Sequence, residues 1–472
     1  MREPRTDERS ILIIFGSDMA DEKTVRAYFE VQVNDDQCKY SRYVCDSRAI
    51  PHETDGLKPV QRRILWTMWN SGAKTSFTKT VKVAGLVMGY HPHGDRSIQD
   101  ALSAMAQGFA FANNYPLIAG EGTFGDVLDP SAVASPRYTE VRLAEFARDC
   151  GLFEGLEDLD YIPNYDETDR EPVYFVPKVP LVLCNSTQGI ATGFRCLIPS
   201  FRLSDVCNAI VSFMKKGKVP KLTPWVKGFG GKIEYAKNES GALVFSTSFG
   251  LTTGKDGVFI TSAPQGWNRE RVIGLLEKLL ENKTPWLNGY TDHSSEVFKV
   301  ELHLKRGIKP IPENLPGLMD VRTNETCAYN MITTDGRLAE LMPEEVIRRF
   351  VAFRRRHLVK RFKRLGLIEK DKVDRNNELI RFIKEGWNKK VIDIKGKAEL
   401  EKKLTAAKFR YAEWLSSMPI YRLTLEEVRK CKDLIAESKK QMAVYGQLVK
   451  SETKLTEFMA DELDGLKAKW DQ

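Results

Sequence analysis

No run of apolar residues in this sequence approaches the length needed to cross a bilayer. The first candidate, residues 11–15, is short and follows a mixed-charge start rather than a basic one, which argues against a secretory signal. No Cys-x-x-Cys pair occurs among Cys38, Cys45, Cys150, Cys184, Cys196, Cys207, Cys327 and Cys431, and none of their spacings suits zinc. Scattered thiols of this kind read as reduced side chains without structural bridges, so the expected location is the cytoplasm, with no membrane partner. A phosphate-binding glycine loop is also missing: Gly230-Gly231-Lys232 is followed by Ile233 and lacks the upstream glycine. ATP hydrolysis is therefore not expected from these residues. Carboxylates paired for a metal are scarce. Asp158-Leu159-Asp160 comes nearest, but no apolar strand precedes it and it reads as solvated surface. There is no internal repeat and no low-complexity stretch.

What is present is an ordinary folded composition, 42% hydrophobic and 29% charged, with a net charge of +8. The basic excess suits a polyanionic partner without proving one, because evenly spread charge prefers no ligand. At 472 residues the chain is too long for one core. Residues 1–36 show no clear periodicity and read as an N-terminal arm. Residues 37–155 are helical with Gly- and His-rich interruptions; Ile64, Leu65, Met68 and Trp69 recur at helical spacing, as do Ile98, Ala101, Leu102, Met105 and Ala106. Residues 156–338 carry short β-rich runs at 179–184, 242–246 and 258–261, with one helix near 268–282. Beyond that the pattern is long-helical. Ile347, Val351, Leu358, Phe362 and Leu365 mark an outgoing stripe, and Leu434, Met442, Tyr445, Leu448, Leu455 and Met459 a returning one. Thr424 and Glu427 have capping-box spacing at the start of the return. The expected fold is multidomain α+β. Residues 339–385 and 425–472 would form an antiparallel helical arm, and 386–424 its tip, whose apolar segment from Met418 to Leu423 suits contact with a second copy.

Four clusters carry side chains with chemical potential. The first joins Arg48 to Asp55, Lys58, Arg62 and Arg63 across Gly and Pro turns; alone, it is as readily a solvated surface turn. The second, Gly89-Tyr90-His91-Pro92-His93-Gly94-Asp95-Arg96, links predicted helices at 79–88 and 95–108. The later helix has a polar face of Arg96, Ser97, Gln99, Asp100 and Ser103, as in a helix-turn-helix, although many such hairpins bind nothing. His91 and His93 lack the companions of a metal site and read better as donors to a phosphate oxygen. The third cluster, residues 116–125, has Gly120, Gly122 and Gly125, which permit close backbone approach. The fourth is Ser135-Pro136-Arg137-Tyr138-Thr139-Glu140, with Tyr138 at the entrance to a predicted amphipathic helix. Most tyrosines are half-buried packing residues. A phenol titrates near pH 10, so ionising it at pH 7 costs about 4 kcal/mol. A neighbouring guanidinium lowers that cost and stabilises charge building on phosphate oxygens. The set suits transesterification of a phosphodiester, in which a tyrosyl ester keeps the bond energy for resealing.

Taken together, Arg48-Ala49-Ile50-Pro51, the run from Asp55 to Arg63, the loop from Gly89 to Asp95, the glycine loop and the run from Pro136 to Leu143 resemble the breakage-reunion region of type IIA DNA topoisomerases. This is the family of gyrase A and topoisomerase IV C subunits. Asn164-Tyr165-Asp166, Val179-Pro180, residues 185–191, Phe353-Arg354-Arg355 and the tip segment extend the likeness over about residues 37–465. The resemblance implies a winged-helix DNA-cleavage domain at 37–155, an α+β tower at 156–338, a coiled-coil arm and a small helical dimerisation tip. It implies that Tyr138 is the nucleophile, with Arg137 beside it at the scissile phosphate. Arg48, Lys58, Arg62, His91 and His93 would surround the same phosphate, with Asp55 orienting the cations. Ile190 would wedge between base steps and bend the duplex, and Arg63, Arg96 and Ser97 would line it. Double-stranded DNA is the implied substrate. A separate large ATPase/TOPRIM subunit is the implied source of ATP hydrolysis and of the carboxylates for Mg²⁺, in a heterotetramer holding two copies of this chain.

Three departures from the family pattern carry expectations. Arg96 stands where cellular bacterial relatives usually have a small hydroxyl residue beside the quinolone site, so weak quinolone sensitivity is expected. Arg96→Ser should then raise drug-induced cleavage, and unchanged cleavage would count against the reading. Residues 215–310 match the tower only loosely. The chain ends at Gln472, where gyrase A continues into a DNA-wrapping domain, so relaxation and decatenation are expected rather than supercoiling; this short form is most similar to the medium subunit of bacteriophage type II topoisomerases. Two rivals remain. His93-x-x-Arg96 upstream of Tyr138 fits a tyrosine recombinase, but those enzymes carry the nucleophile near the C-terminus. A non-catalytic DNA-bending protein would use the helix-turn-helix and Ile190 alone, and would gain nothing from cations gathered near a tyrosine.

Overall fold

The computed structural model describes residues 29–254, 257–309, 311, 314–419 and 424–471. Most of the expected N-terminal arm and residues 420–423 of the tip lie outside the described residues. The chain has a mixed α/β fold of helices and small antiparallel sheets. It opens with α1 (Phe29–Val44), which runs into a π-helical turn, Cys45–Ala49. Next come α2 (Pro59–Trp69), β1 (Thr78–Lys79), α3 (Thr80–Val87), α4 (Asp95–Ala106), β2 (Ile118–Glu121), β3 (Glu140–Leu143) and α5 (Glu145–Asp149). Pro59 suits the first position of α2, where no N–H is needed, and the Gln61 side chain accepts from the Lys58 N–H at 3.0 Å. Ile64, Leu65 and Met68 are fully buried on one face of α2, and Ile98, Leu102 and Met105 on one face of α4. Both faces, with Val83, Ala84 and Val87 of α3, close over a sheet in which β3 lies between β1 and β2.

The change of texture near residue 155 is not a break in the core. The same buried cluster takes in α6 (Leu181–Cys184), the helix α7 (Leu203–Lys216), the first turns of the long helix beginning at Pro343, and Leu463 and Leu466 near the C-terminus. The 179–184 run, expected as a strand, is therefore a one-turn helix buried on all sides. A short apolar run cannot be assigned to strand or helix from its periodicity. Around it lie two hairpins, β4 (Tyr161–Pro163) with β5 (Arg170–Pro172) and β6 (Thr187–Ala191) with β7 (Phe194–Ile198). A second core is separate. It fills the space between α8 (Arg269–Glu281) and a sheet of β10 (Gly250–Gly254), β11 (Gly257–Ser262), β13 (Val300–Leu304) and β12 (Leu287–Asp292). A further sheet of β8 (Ile233–Lys237), β9 (Leu243–Ser248) and β14 (Arg322–Thr326) packs Phe245, Ile233 and Tyr235 on the first core. The ribbon β15 (Asn330–Ile332) with β16 (Leu338–Glu340) leads into the helical part.

Helix α9 (Pro343–Lys384) has 42 residues, about 60 Å at 1.5 Å per residue. The helices α10 (Trp387–Lys390), α11 (Lys397–Ala406) and α12 (Ala412–Ser416) pack around Leu379, Phe382, Leu404 and Leu415 at its far end. Then α13 (Leu425–Lys450) comes back antiparallel: Val428 and Cys431 pack in the same cluster as Leu379 and Phe382, and the Tyr445 ring stacks on Phe362 at 5.8 Å. The Thr424 hydroxyl caps α13 by accepting from the Glu427 N–H. Two details differ from the sequence expectation. Leu434 is exposed; the buried stripe passes through Val428, Cys431 and Ile435. The return is also two helices, because Ser451 leaves helical geometry and caps α14 (Glu452–Trp470), which docks on the body. There Glu462 receives the buried Arg354 side chain at 2.7 Å, and the Trp470 indole donates to Asp149 at 2.9 Å. Asp158, expected as solvated surface, is buried at the base of the arm. Its carboxylate accepts from Arg364 of α9 at 2.7 and 3.0 Å, a partner more than 200 positions away. Among the described residues no helix is long and apolar enough to cross a membrane, and no disulfide forms.

Candidate active site

Tyr138 lies where a tight turn runs into β3. The residues after it alternate, Val141 and Leu143 inward, so they form the middle strand of the sheet rather than the predicted amphipathic helix. The turn is pinned from below. The Tyr138 N–H donates to the Ser135 carbonyl at 2.8 Å, while the first N–H groups of α3, on Thr80 and Val81, donate to the Thr139 and Pro136 carbonyls at 3.0 and 3.2 Å. Helix-start N–H groups have no partner within their own helix, so the turn before β3 supplies one to each. The Thr80 and Thr139 hydroxyls share a buried hydrogen bond of 2.8 Å. Gly122, at φ +98°, passes so close that a Cβ there would meet the Thr139 methyl at 3.3 Å. On this fixed base the Tyr138 side chain is 66% exposed, and the Arg137 guanidinium lies over its ring at 4.9 Å.

A second group of side chains gathers around the π-helical turn. Arg48 at its end is exposed, and it lines an open groove with Lys58 and Ile190. The β6–β7 hairpin sits hard against this turn: a Cβ on Gly189 would fall 2.1 Å from the Ala49 carbonyl oxygen. The Lys58 ammonium donates to the Gln188 carbonyl at 2.6 Å, and burial lowers its pKa. Next to that anchor Ile190 projects with 78% of its surface exposed, near the turn end of the hairpin, where Phe194 is exposed too.

Arg62 does not share the groove. It is buried, with Nε and Nη2 donating to the two Asp55 oxygens at 2.7 and 3.0 Å and Nη2 also to the Leu57 carbonyl at 3.0 Å. Asp55 takes two more bonds from the Leu57 and Phe175 N–H groups at 3.0 and 2.9 Å. Arg62 thus holds the loop that carries Lys58. Arg63 is held by Glu171 of β5 at 2.7 and 2.8 Å and reaches His91 Nδ1 at 3.2 Å. A guanidinium can only donate, so His91 Nδ1 is an acceptor and the ring is neutral. Its pKa is lowered to about 4 by burial and by the charges of Arg63, His93 and Arg48. Nε2 then carries the proton and points at the Ser97 hydroxyl, 3.4 Å away. His93 is half-buried, edge-on to His91 at 4.9 Å, with Nε2 2.8 Å from the Tyr43 hydroxyl. Arg96 is exposed on α4, paired with Asp100 one turn along.

The geometry therefore yields two groups. Arg48, Arg63, His91 and His93 converge, with Lys58 and Ile190 on the adjoining groove. Tyr138 and Arg137 form the other; among the described residues no hydrogen bond, ion pair or ring contact joins them to Arg48, Lys58, Arg62, His91 or His93. Sequence reasoning missed Tyr43 and Glu171. Neither belongs to a cluster of cations, and both act through a partner distant in sequence. Among the described residues no group of three or more His, Cys, Asp or Glu side chains is arranged to hold a metal ion.

The family model for the DNA gyrase/topoisomerase IV A subunit matches residues 48–464. The DNA gyrase A subunit of Campylobacter jejuni is 28% identical over 465 residues, covering 92% of this chain and 53% of that protein. The DNA topoisomerase 4 A subunit of Salmonella typhimurium is 31% identical over 360 residues, covering 72% and 47%. The DNA gyrase A subunit of Chlamydia pneumoniae is 30% identical over 491 residues, covering 94% and 56%. The chain spans about half the length of the curated relatives it matches.

Proposed function

We propose, since this chain belongs to the family of DNA gyrase and topoisomerase IV A subunits, that it is the DNA-cleaving component of an ATP-dependent type IIA topoisomerase. The observation that carries this reading is Tyr138, exposed on a rigid turn with the Arg137 guanidinium against its ring. In the proposed step the Tyr138 oxygen attacks a backbone phosphorus. The bond from that oxygen to phosphorus forms, the bond to the 3′ oxygen breaks, and the phenol proton ends on the released 3′ hydroxyl. The product is a 5′-phosphotyrosyl ester, which the 3′ hydroxyl reverses after a second duplex has passed. Arg137 stabilises charge on the phosphate oxygens in the transition state. Arg48, Lys58 and His93 are assigned to the DNA backbone. Arg62 with Asp55, and Arg63 with Glu171 and His91, hold those groups in place. Mg²⁺ and ATP belong, on this reading, to a large ATPase/TOPRIM partner.

The α3–α4 pair packed on the three-stranded sheet supports reading residues 37–155 as a winged-helix domain. The α9–α13 pair supports a coiled-coil arm whose tip, with the winged helix, joins two copies. Ile190 is assigned the wedge between base steps. Ile190→Ala should leave the fold intact, since the side chain is exposed, and should lessen DNA bending measured by end-to-end fluorescence transfer; unchanged bending would remove the wedge. The overall test is a denaturant-trapped cleavage assay with the large partner, Mg²⁺ and supercoiled plasmid. Linear DNA covalently bound to this chain is expected. A fully active partner with no adduct would favour the DNA-bending alternative.

A further inference from the structure

We infer that Tyr43 is a positioning residue that fixes which nitrogen of His93 offers a proton to the DNA. His91 and His93 stand two residues apart and look equivalent in sequence, but their surroundings differ. His91 has both nitrogens engaged, Nδ1 by the Arg63 guanidinium and Nε2 facing Ser97, and it is buried. His93 has Nε2 engaged by the Tyr43 hydroxyl at 2.8 Å, and no partner for Nδ1 occurs among the described residues. A phenol O–H is a stronger acid than a neutral imidazole N–H, and an imidazole nitrogen a stronger base than a phenol oxygen, so we assign the phenol as donor and Nε2 as acceptor; a neutral His93 then carries its proton on Nδ1. Tyr43 thereby converts a ring with two tautomers into a dedicated Nδ1–H donor that needs no net charge. It is also well placed to do so: Tyr43 lies in the last turn of α1, and the π-helical turn that follows carries Arg48. One side chain thus ties the segment bearing Arg48 to the loop bearing both histidines. The hydrogen-bond and ring partners of His93 are Tyr43 from α1 and His91 from its own loop. Arg63 from α2 and Arg48 from the π-helical turn act on His91, beyond it.

This inference rests on the cleavage reading above, and its test separates the two. With Tyr43 present, His93 keeps an Nδ1–H both when neutral and when protonated. In Tyr43→Phe a neutral ring divides its proton between the two nitrogens, so part of the population offers no Nδ1–H. Tyr43→Phe should therefore cleave severalfold more slowly than the parent, with the worth of one hydrogen bond to a charged oxygen, about tenfold, as the ceiling. A mere packing defect would also slow cleavage but would leave the proton on Nδ1. The second readout needs neither DNA nor partner. With ¹⁵N-labelled histidine there are six imidazoles in the chain, and the His93 signals, assigned by their loss in His93→Gln, should show a protonated Nδ1 and an unprotonated Nε2 that become mixed in Tyr43→Phe. A neutral parent ring with its proton on Nε2, or a proton that stays on Nδ1 in Tyr43→Phe, would overturn the inference. A parent protein that forms no adduct but shows the Nδ1–H signature would overturn the cleavage reading and leave the Tyr43 pairing standing.

Discussion

Tyr138→Phe is expected to abolish the covalent protein–DNA adduct while leaving folding and DNA affinity unchanged. The substitution removes only the hydroxyl, and phenylalanine has no atom that can attack phosphorus. The side chain is 66% exposed and its oxygen has no hydrogen-bond partner among the described residues, so stability should change by less than about 0.5 kcal/mol. Affinity should hold because the phosphate contacts are assigned, in the proposed function, to cations elsewhere, and it should still fall steeply with salt. Arg137→Ala tests the second half of the pair. Loss of a preorganised charge at a developing oxyanion slows the chemical step by roughly 100- to 1000-fold, with binding much less affected. Arg137→Lys should recover only part of that, since an ammonium has neither the flat guanidinium face nor its fork of donors. Trapped adduct from Tyr138→Phe would move the nucleophile elsewhere, and Tyr165, 56% exposed on the loop between β4 and β5, would be the next candidate.

The two groups in the site are unequally legible in the sequence. Arg48, Lys58, Arg62 and Arg63 look alike there, four cations within one short run. Their fates are decided by residues far along the chain: Phe175 completes the Asp55 cage that consumes Arg62, Glu171 holds Arg63, and the Gln188 carbonyl holds Lys58. No local pattern reveals such partners. His91 illustrates the same limit, since its neutral state follows from an arginine 28 residues earlier. Helix starts are legible where the cap is local, as at Thr424. Ser451 is not, because position 454 is Lys where a capping box would need Glu or Gln. The segment after Tyr138 misleads for another reason. Four residues suffice for a strand, and a window that short cannot separate a period of 2 from one of 3.6.

The buried pair of Asp55 and Arg62 should give the largest stability effect in the molecule. Asp55→Ala strands a guanidinium that is almost fully buried and also leaves the Leu57 and Phe175 N–H groups without an acceptor. Removing one partner of a buried pair costs about 3–5 kcal/mol, so a marked fall in the urea midpoint is expected. The double variant Asp55→Leu with Arg62→Met should lose less, because no charge is then left uncompensated. It should not match the parent, since each orphaned backbone N–H still costs about 1–3 kcal/mol. The order parent, double variant, Asp55→Ala is therefore the signature of a pair held for position rather than for net stability. Lys58 caps α2 three residues beyond Asp55, and its ammonium reaches the hairpin that carries Ile190. The double variant should accordingly remain folded at 25 °C and yet give less trapped adduct than the parent. If it cleaves as well as the parent does, the Asp55–Arg62 pair supports the fold alone, and the alignment of the groove must be set by the Gly189–Ala49 contact instead.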